Sequence, residues 1–155
     1  MAKKNTDNFA ENYPKHAIPA AQQKDSIMTD NLSLPEGLVF TADGLIPAIA
    51  QQYDTGEVLL MAWMTADSLA ETLATGRVCY WSRSRRAFWR KGDTSGHIQE
   101  LVELRYDCDG DTLLVLVNQT GAACHEGTRS CFTRKVEPDG AVSRADTAIP
   151  SAVKG

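Results

Sequence analysis

The sequence predicts an α+β fold: a small, mainly antiparallel, curled and barrel-like sheet with one principal helix. Three observations predict it. Six or so short apolar segments have strand character, only one segment carries both a helix start and a helix stop, and a turn tripeptide joins the first two strands. Residues 46–53 and 57–63 flank Asp54-Thr55-Gly56, which predicts a hairpin. Thr65 is a good N-cap, Asp67 suits the first turn, Leu69 and Leu73 lie one turn apart, and Gly76 supplies the stop. Residues 78–82 read as a short strand with two aromatics. Ile98, Val102, Leu104 and Tyr106 are expected on one face of a longer strand, with Glu100 an exception. The continuous apolar run 113–117 predicts a central strand, and residues 132–136 are expected to close the sheet.

The chain has 155 residues, one domain's worth, with 43% hydrophobic and 23% charged residues, a balance that excludes a wholly disordered chain. Its net charge of −4 disfavours a generic nucleic-acid binder. The longest apolar run, 58–64, is too short for a membrane helix, so no membrane partner is expected. The N-terminal stretch has no apolar core of a secretory leader. A cytoplasmic, reducing compartment follows, in which the four cysteines read as thiols or metal ligands. Residues 1–33, polar and without period, read as a flexible extension; 34–136 form the motif-bearing domain, and 137–155 a polar C-terminal tail.

Fifteen residues separate Cys108 from Cys124, and six separate Cys124 from Cys131. This is not the paired-knuckle spacing of a zinc ribbon, yet three thiolates can hold one zinc and leave a fourth position open for water. The alternative is that small thiols pack in strands, the reading adopted for Cys79. Cys108 sits within Asp107-Cys108-Asp109-Gly110-Asp111. An EF-hand fails here, because Thr112 stands where the loop needs glycine and Asn118 where it needs glutamate. Extended geometry would put Asp107, Asp109 and Asp111 on one side for Mg²⁺ and Cys108 on the other for Zn²⁺; a polar hairpin turn is the plainer alternative.

His125 follows Cys124 and precedes Glu126. Arg129 stands where a His-Glu-x-x-His zincin needs histidine, and the deaminase signature is absent. An isolated histidine is more often structural, but beside a candidate zinc thiolate His125 reads as an acid/base group or one that supports the metal ligand. Between Tyr80 and His97 lie Trp81, Arg83, Arg85, Arg86, Phe88, Trp89, Arg90 and Lys91, then Gly92, Thr94, Ser95 and Gly96. Arginine forks suit phosphate, aromatic rings stack on bases or fill cores, and the glycine- and serine-rich loop admits an anion to backbone N–H groups. A solvated loop with core aromatics is the alternative.

Together, Met61-Ala62-Trp63-Met64, Tyr80-Trp81-Ser82-Arg83-Ser84-Arg85, Trp89-Arg90-Lys91-Gly92-Asp93-Thr94-Ser95-Gly96, Asp107-Cys108-Asp109-Gly110-Asp111 and the stretch from Ala123-Cys124-His125-Glu126-Gly127 to Ser130-Cys131-Phe132 resemble the phosphoribosyl-AMP cyclohydrolase family of histidine biosynthesis. The resemblance spans about residues 34–136; the family pattern commonly has Glu at Asp93 and Pro at Ala122. It implies hydrolytic opening of the N1–C6 bond of phosphoribosyl-AMP, with Cys108, Cys124 and Cys131 as zinc ligands and Asp107, Asp109 and Asp111 at the magnesium positions. It further implies an intertwined homodimer that shares the zinc site, with Cys108 given by one copy and Cys124 and Cys131 by the other. His125 is then the expected general base, and Trp81, Arg83, Arg85, Arg86, Lys91, Thr94 and Ser95 the expected contacts of a twice-phosphorylated nucleotide. Two rival readings remain: a non-catalytic zinc module that binds polynucleotide through its arginines, and another zinc hydrolase acting on a nucleotide base.

Overall fold

The computed structural model describes residues 33–145. The expected N-terminal extension, Ser33 apart, and the last ten residues of the expected tail lie outside that range. Six strands form one sheet: β1 (Ile46–Gln52), β2 (Val58–Met64), β3 (Cys79–Ser82), β4 (Ala87–Arg90), β5 (Gln99–Tyr106) and β6 (Leu113–Gln119), in the order β4-β3-β2-β1-β6-β5. The hairpin at Asp54-Thr55-Gly56 joins β1 to β2 as the sequence predicts. β1 and β6 pair in parallel and every other pair is antiparallel, so the expected mainly antiparallel sheet is a mixed one. An apolar run such as 113–117 marks a central strand but not its direction, and β6 arrives beside β1 by a crossover.

The sheet curls strongly. The Leu101 N–H donates to the Gly76 carbonyl and the Val78 N–H to the Gln99 carbonyl, which brings the approach to β3 against the start of β5. Ile46, Ala48 and Ala50 of β1, Leu60, Ala62 and Met64 of β2, Tyr80 of β3 and Leu113, Val115 and Val117 of β6 fill the concave side. The Tyr80 hydroxyl donates to Gln99 Oε1 at 2.6 Å, which satisfies a buried phenol at the seam.

The single helix, α1 (Ala66–Thr75), begins and ends where the sequence places it. Thr65 Oγ1 accepts from the Ser68 N–H, Ser68 Oγ accepts from the Thr65 N–H, and Gly76 at φ +70° donates its N–H to the Thr72 carbonyl. Leu69 and Thr72 are buried, and Thr72 Oγ1 accepts from the Cys79 N–H, which ties the helix to β3. Cys79 is buried and its thiol is pushed up to about 11, first by burial, so the packing reading of this residue fits.

Two element-level expectations are corrected. In β5 the buried residues are Gln99 and Leu101, a bulge follows Leu101, and Tyr106 is exposed; of the four expected residues within or beside β5, only Leu104 packs on the core. The bulge flips the alternation that the sequence pattern assumed. Residues 132–136 do not close the main sheet. β7 (Arg134–Val136) pairs only with β8 (Val142–Arg144) in a separate hairpin, because Pro138-Asp139-Gly140 turns the chain back at once. Among the described residues no helix is long and apolar enough to cross a membrane.

Candidate metal centre and its surroundings

Asp107 to Thr112 join β5 to β6 as a turn rather than as extended strand, so the strict alternation envisaged for the aspartates and Cys108 does not hold. The three carboxylates converge all the same. Asp107 Oδ1 accepts from the N–H groups of Asp111 and Thr112, and Gly110 takes φ +77°, so the backbone folds Asp109 and Asp111 back toward Asp107. One oxygen from each lies within 4.8 Å of the others, all exposed. Repulsion from Asp107 and Asp111 raises the Asp109 carboxyl above its ordinary value, whereas hydrogen bonds from Thr112 and Asp111 outweigh desolvation and hold Asp107 below its own. Clustered hard oxygen donors of this kind suit Mg²⁺ or Ca²⁺.

The second region is the loop from Thr120 to Thr133. Cys124 and Cys131 lie close enough there for each to influence the other's ionisation. Burial raises Cys124, but the Glu126 backbone N–H, the Thr128 side chain and Cys131 overcome it and hold Cys124 below the ordinary thiol value. Desolvation first, and then its neighbour Cys124, push Cys131 up to about 11. Two neighbouring sulfur donors are a start on a soft-metal site. Cys108 does not join it. It stands exposed on the turn before β6, whereas Cys124 follows the far end of that seven-residue strand, about 20 Å away along its length. Within one copy, Cys108 is therefore not a third sulfur donor beside Cys124 and Cys131. His125 is exposed beside Cys124.

Lys91 is 6% exposed, and among the described residues no carboxylate lies within 4.0 Å of it. Burial lowers its pKa, and the nearby Cys131 and Cys124 partly restore it; its ammonium lies 6.0 Å from the Trp89 ring. Trp89 stacks on Tyr80 in the core. Trp81 instead lies on the convex face between Trp63 and Phe88. Arg83 covers the Trp63 ring at 4.9 Å, Arg85 Nε donates to Ser82 Oγ, and Arg86 turns the chain at φ +50°, all three exposed. Thr94 and Ser95 are exposed on the loop after Lys91, where Gly92 passes so close to Ile98 that a Cβ would lie 2.5 Å from its nitrogen. Asp93 pairs with Arg77 at 2.8 Å, which gives this residue a loop-anchoring contact. Sequence reasoning passed over Gln52 and Gln119, and took Arg129 only as a missing histidine. All three are buried and hydrogen-bonded around the thiol loop. A charged residue between two candidate ligands was the one available signal.

Comparison with known proteins agrees with the motif resemblance. The family described as Phosphoribosyl-AMP cyclohydrolase matches residues 60–133, which hold both the aspartate turn and the thiol loop. A protein of that name from Rhodospirillum centenum is 65% identical over 74% of this chain and 86% of its own. One from Rhodospirillum rubrum is 54% identical over 84% and 92%, and one from Acidiphilium cryptum 68% identical over 65% and 87%.

Proposed function

The chain belongs to the phosphoribosyl-AMP cyclohydrolase family, and on that premise we propose that it opens the adenine ring of 1-(5-phosphoribosyl)-AMP by hydrolysis at N1–C6. The product is the phosphoribosyl-formimino aminoimidazole carboxamide ribotide, in a cytoplasmic step of histidine biosynthesis. The observation that carries the reading is the match of residues 60–133, which hold both the aspartate turn and the loop with Cys124 and Cys131, to the family. Cys124, Cys131 and Cys108 of a second copy would hold zinc, which when bound supplies Lewis acidity to a water molecule. Asp107, Asp109 and Asp111 would hold Mg²⁺ and orient the substrate.

The chain's own residues do the rest. The His125 imidazole takes a proton from the attacking water as its oxygen bonds to C6, and returns one to N1 as the N1–C6 bond breaks. Arg83, Arg85, Arg86 and Lys91 supply cations for the two phosphates, the exposed Thr94 and Ser95 supply donors, and Trp81 offers a ring face to the purine.

A homodimer is supported by the convex sheet face. Phe88, Trp81, Trp63 and Pro47 follow one another across four strands, and beside them Met61, Ile49 and Leu114 form a second apolar row. Met61 is 43% and Phe88 38% exposed in the single chain. Such a contiguous apolar face is expected to be covered. The test is a spectrophotometric assay with phosphoribosyl-AMP on metal-loaded, chelated and zinc-restored protein. Turnover that disappears with chelator and returns with zinc is expected; a zinc-loaded chain that never turns the substrate over, or that binds polynucleotide with a steep salt dependence instead, overturns the reading.

A further inference from the structure

The thiol loop has no strand or helix of its own, yet it brings Cys124 and Cys131 close to each other. A buried guanidinium lies inside it. Arg129 Nη1 donates to the carbonyls of Gln119 and Gly121, both at 2.8 Å, and Nη2 donates to Gln52 Oε1 at 2.8 Å. Gln52 Oε1 also accepts from the Gln119 N–H at 3.0 Å, so one amide oxygen from the end of β1 serves both ends of the loop. Glu57 Oε2 approaches Arg129 Nε at 3.7 Å and offsets the buried charge. The Arg129 carbonyl accepts from the Ala123 N–H, which fixes the residue before Cys124. One residue on, the Ser130 hydroxyl donates to the Val58 carbonyl, and the Cys131 N–H donates to the Leu59 carbonyl at 2.7 Å. The same network reaches the loop after Lys91. Gln119 Nε2 donates to the His97 carbonyl, and the His97 ring lies so close over Gly121 that a Cβ there would stand 2.8 Å from it.

We infer that Arg129 is the positioning residue of the thiol centre: its guanidinium, gripped by Gln52, cinches the loop so that Cys124 and Cys131 stand at ligation spacing, and through Gln119 it couples that spacing to the loop around His97. The zinc part of this inference rests on the proposed function; the spacing part does not. Arg129 acts by fork geometry, five donors in a rigid plane, so lysine cannot replace it.

The experiment uses the full chain with Arg129→Ala, Arg129→Lys and Gln52→Leu, and Cys124→Ser as the reference for a lost ligand. Zinc affinity is read by competition with a chromophoric chelator. Thiol spacing is read without metal, in a Cys108→Ser background, by capture of phenylarsine oxide, in which two As–S bonds form and one water leaves. Arg129→Ala and Arg129→Lys are expected to lose about tenfold or more in both readouts, the range seen when groups that orient metal ligands are removed. Millimolar guanidinium should restore Arg129→Ala but not Cys124→Ser, a rescue that general destabilisation would not give. Gln52→Leu, which keeps the arginine, should lose less in the same direction and serves if Arg129→Ala does not fold. Wild-type arsenical capture and zinc affinity in Arg129→Lys and Gln52→Leu overturn the inference. Normal loss of arsenical capture with no zinc binding in any chain, wild type included, leaves the clamp standing and overturns the zinc reading.

Discussion

The aspartate turn and the thiol loop are both metal-suited clusters, but they are built in opposite ways. The turn is local: six consecutive residues, exposed carboxylates, and a geometry set by two backbone N–H groups on Asp107 and by Gly110. The thiol loop is assembled over distance, with Arg129 held by Gln52, 77 positions earlier, and Cys131 tethered to Leu59. Within one chain its two cysteines stand apart from Cys108. The first cluster is set by its own turn, whereas the second is set by the fold, and under the proposed function it is completed by a second copy. Changes at the thiol loop should therefore remove chemistry outright, and changes at the aspartate turn should alter positioning.

The largest effect expected is on Cys124→Ser or Cys131→Ser. Each should lower turnover of phosphoribosyl-AMP by about a thousandfold or more, since the stabilisation from a metal of this kind is several kcal/mol. Zinc content by elemental analysis should fall in parallel. Asp109→Asn should instead keep its zinc and lose about a hundredfold in rate through a misplaced substrate, with the Mg²⁺ requirement weakened. Its fold should be undisturbed, because the substitution removes a carboxylate that its neighbours repel. Equal zinc loss in Asp109→Asn and Cys124→Ser would erase the contrast between the two regions.

A stability pair sharpens the same contrast. Gly110 and Gly127 sit one in each region, at φ +77° and +86°. A Cβ at Gly110 would lie 1.9 Å from the Gly37 carbonyl oxygen, on the segment whose Val39 N–H donates to Gly110, whereas a Cβ at Gly127 meets nothing within 4 Å. Gly127→Ala should then cost about 1 kcal/mol from the left-handed backbone alone. Gly110→Ala should cost about 2–4 kcal/mol, since strain and clash add. Urea unfolding of the two variants reads the difference, and equal midpoints would show that the turn gives way freely.

Legibility in the sequence follows the same division. Short-range signals were readable: Thr65 and Gly76 bounded the helix, Asp54-Thr55-Gly56 made the hairpin, and the alternating aspartates announced a carboxylate cluster although its backbone is a turn. What depended on distant partners was not. The parallel pairing of β1 with β6, the bulge after Leu101, and the Gln52–Arg129–Gln119 network have no local signature, because each is decided by packing between segments far apart in the chain. The grouping of Cys124 with Cys131, and the assignment of Cys108 to another copy, came from family resemblance rather than from spacing, which left them open; the place of Cys108 at the far end of β6 is what the fold adds.

The smallest effect expected is also the one that most directly separates function from stability. Lys91 is buried without a carboxylate partner among the described residues, and desolvation lowers its pKa. A lysine whose folded value is depressed binds fewer protons folded than unfolded, so stability rises as pH climbs through that depressed value toward the ordinary lysine range. Below it the charged amine weighs against folding. Lys91→Met keeps the stem and removes the charge, so metal-free Lys91→Met should match or exceed wild type in urea midpoint at neutral pH, by about 1 kcal/mol at most, and the gap should close as pH rises. Its turnover should nevertheless fall, because the proposed function uses this cation for substrate phosphate. A variant that loses several kcal/mol at neutral pH would show that Lys91 is held by a favourable contact, and would move it from the chemistry of the thiol loop to the architecture of the sheet.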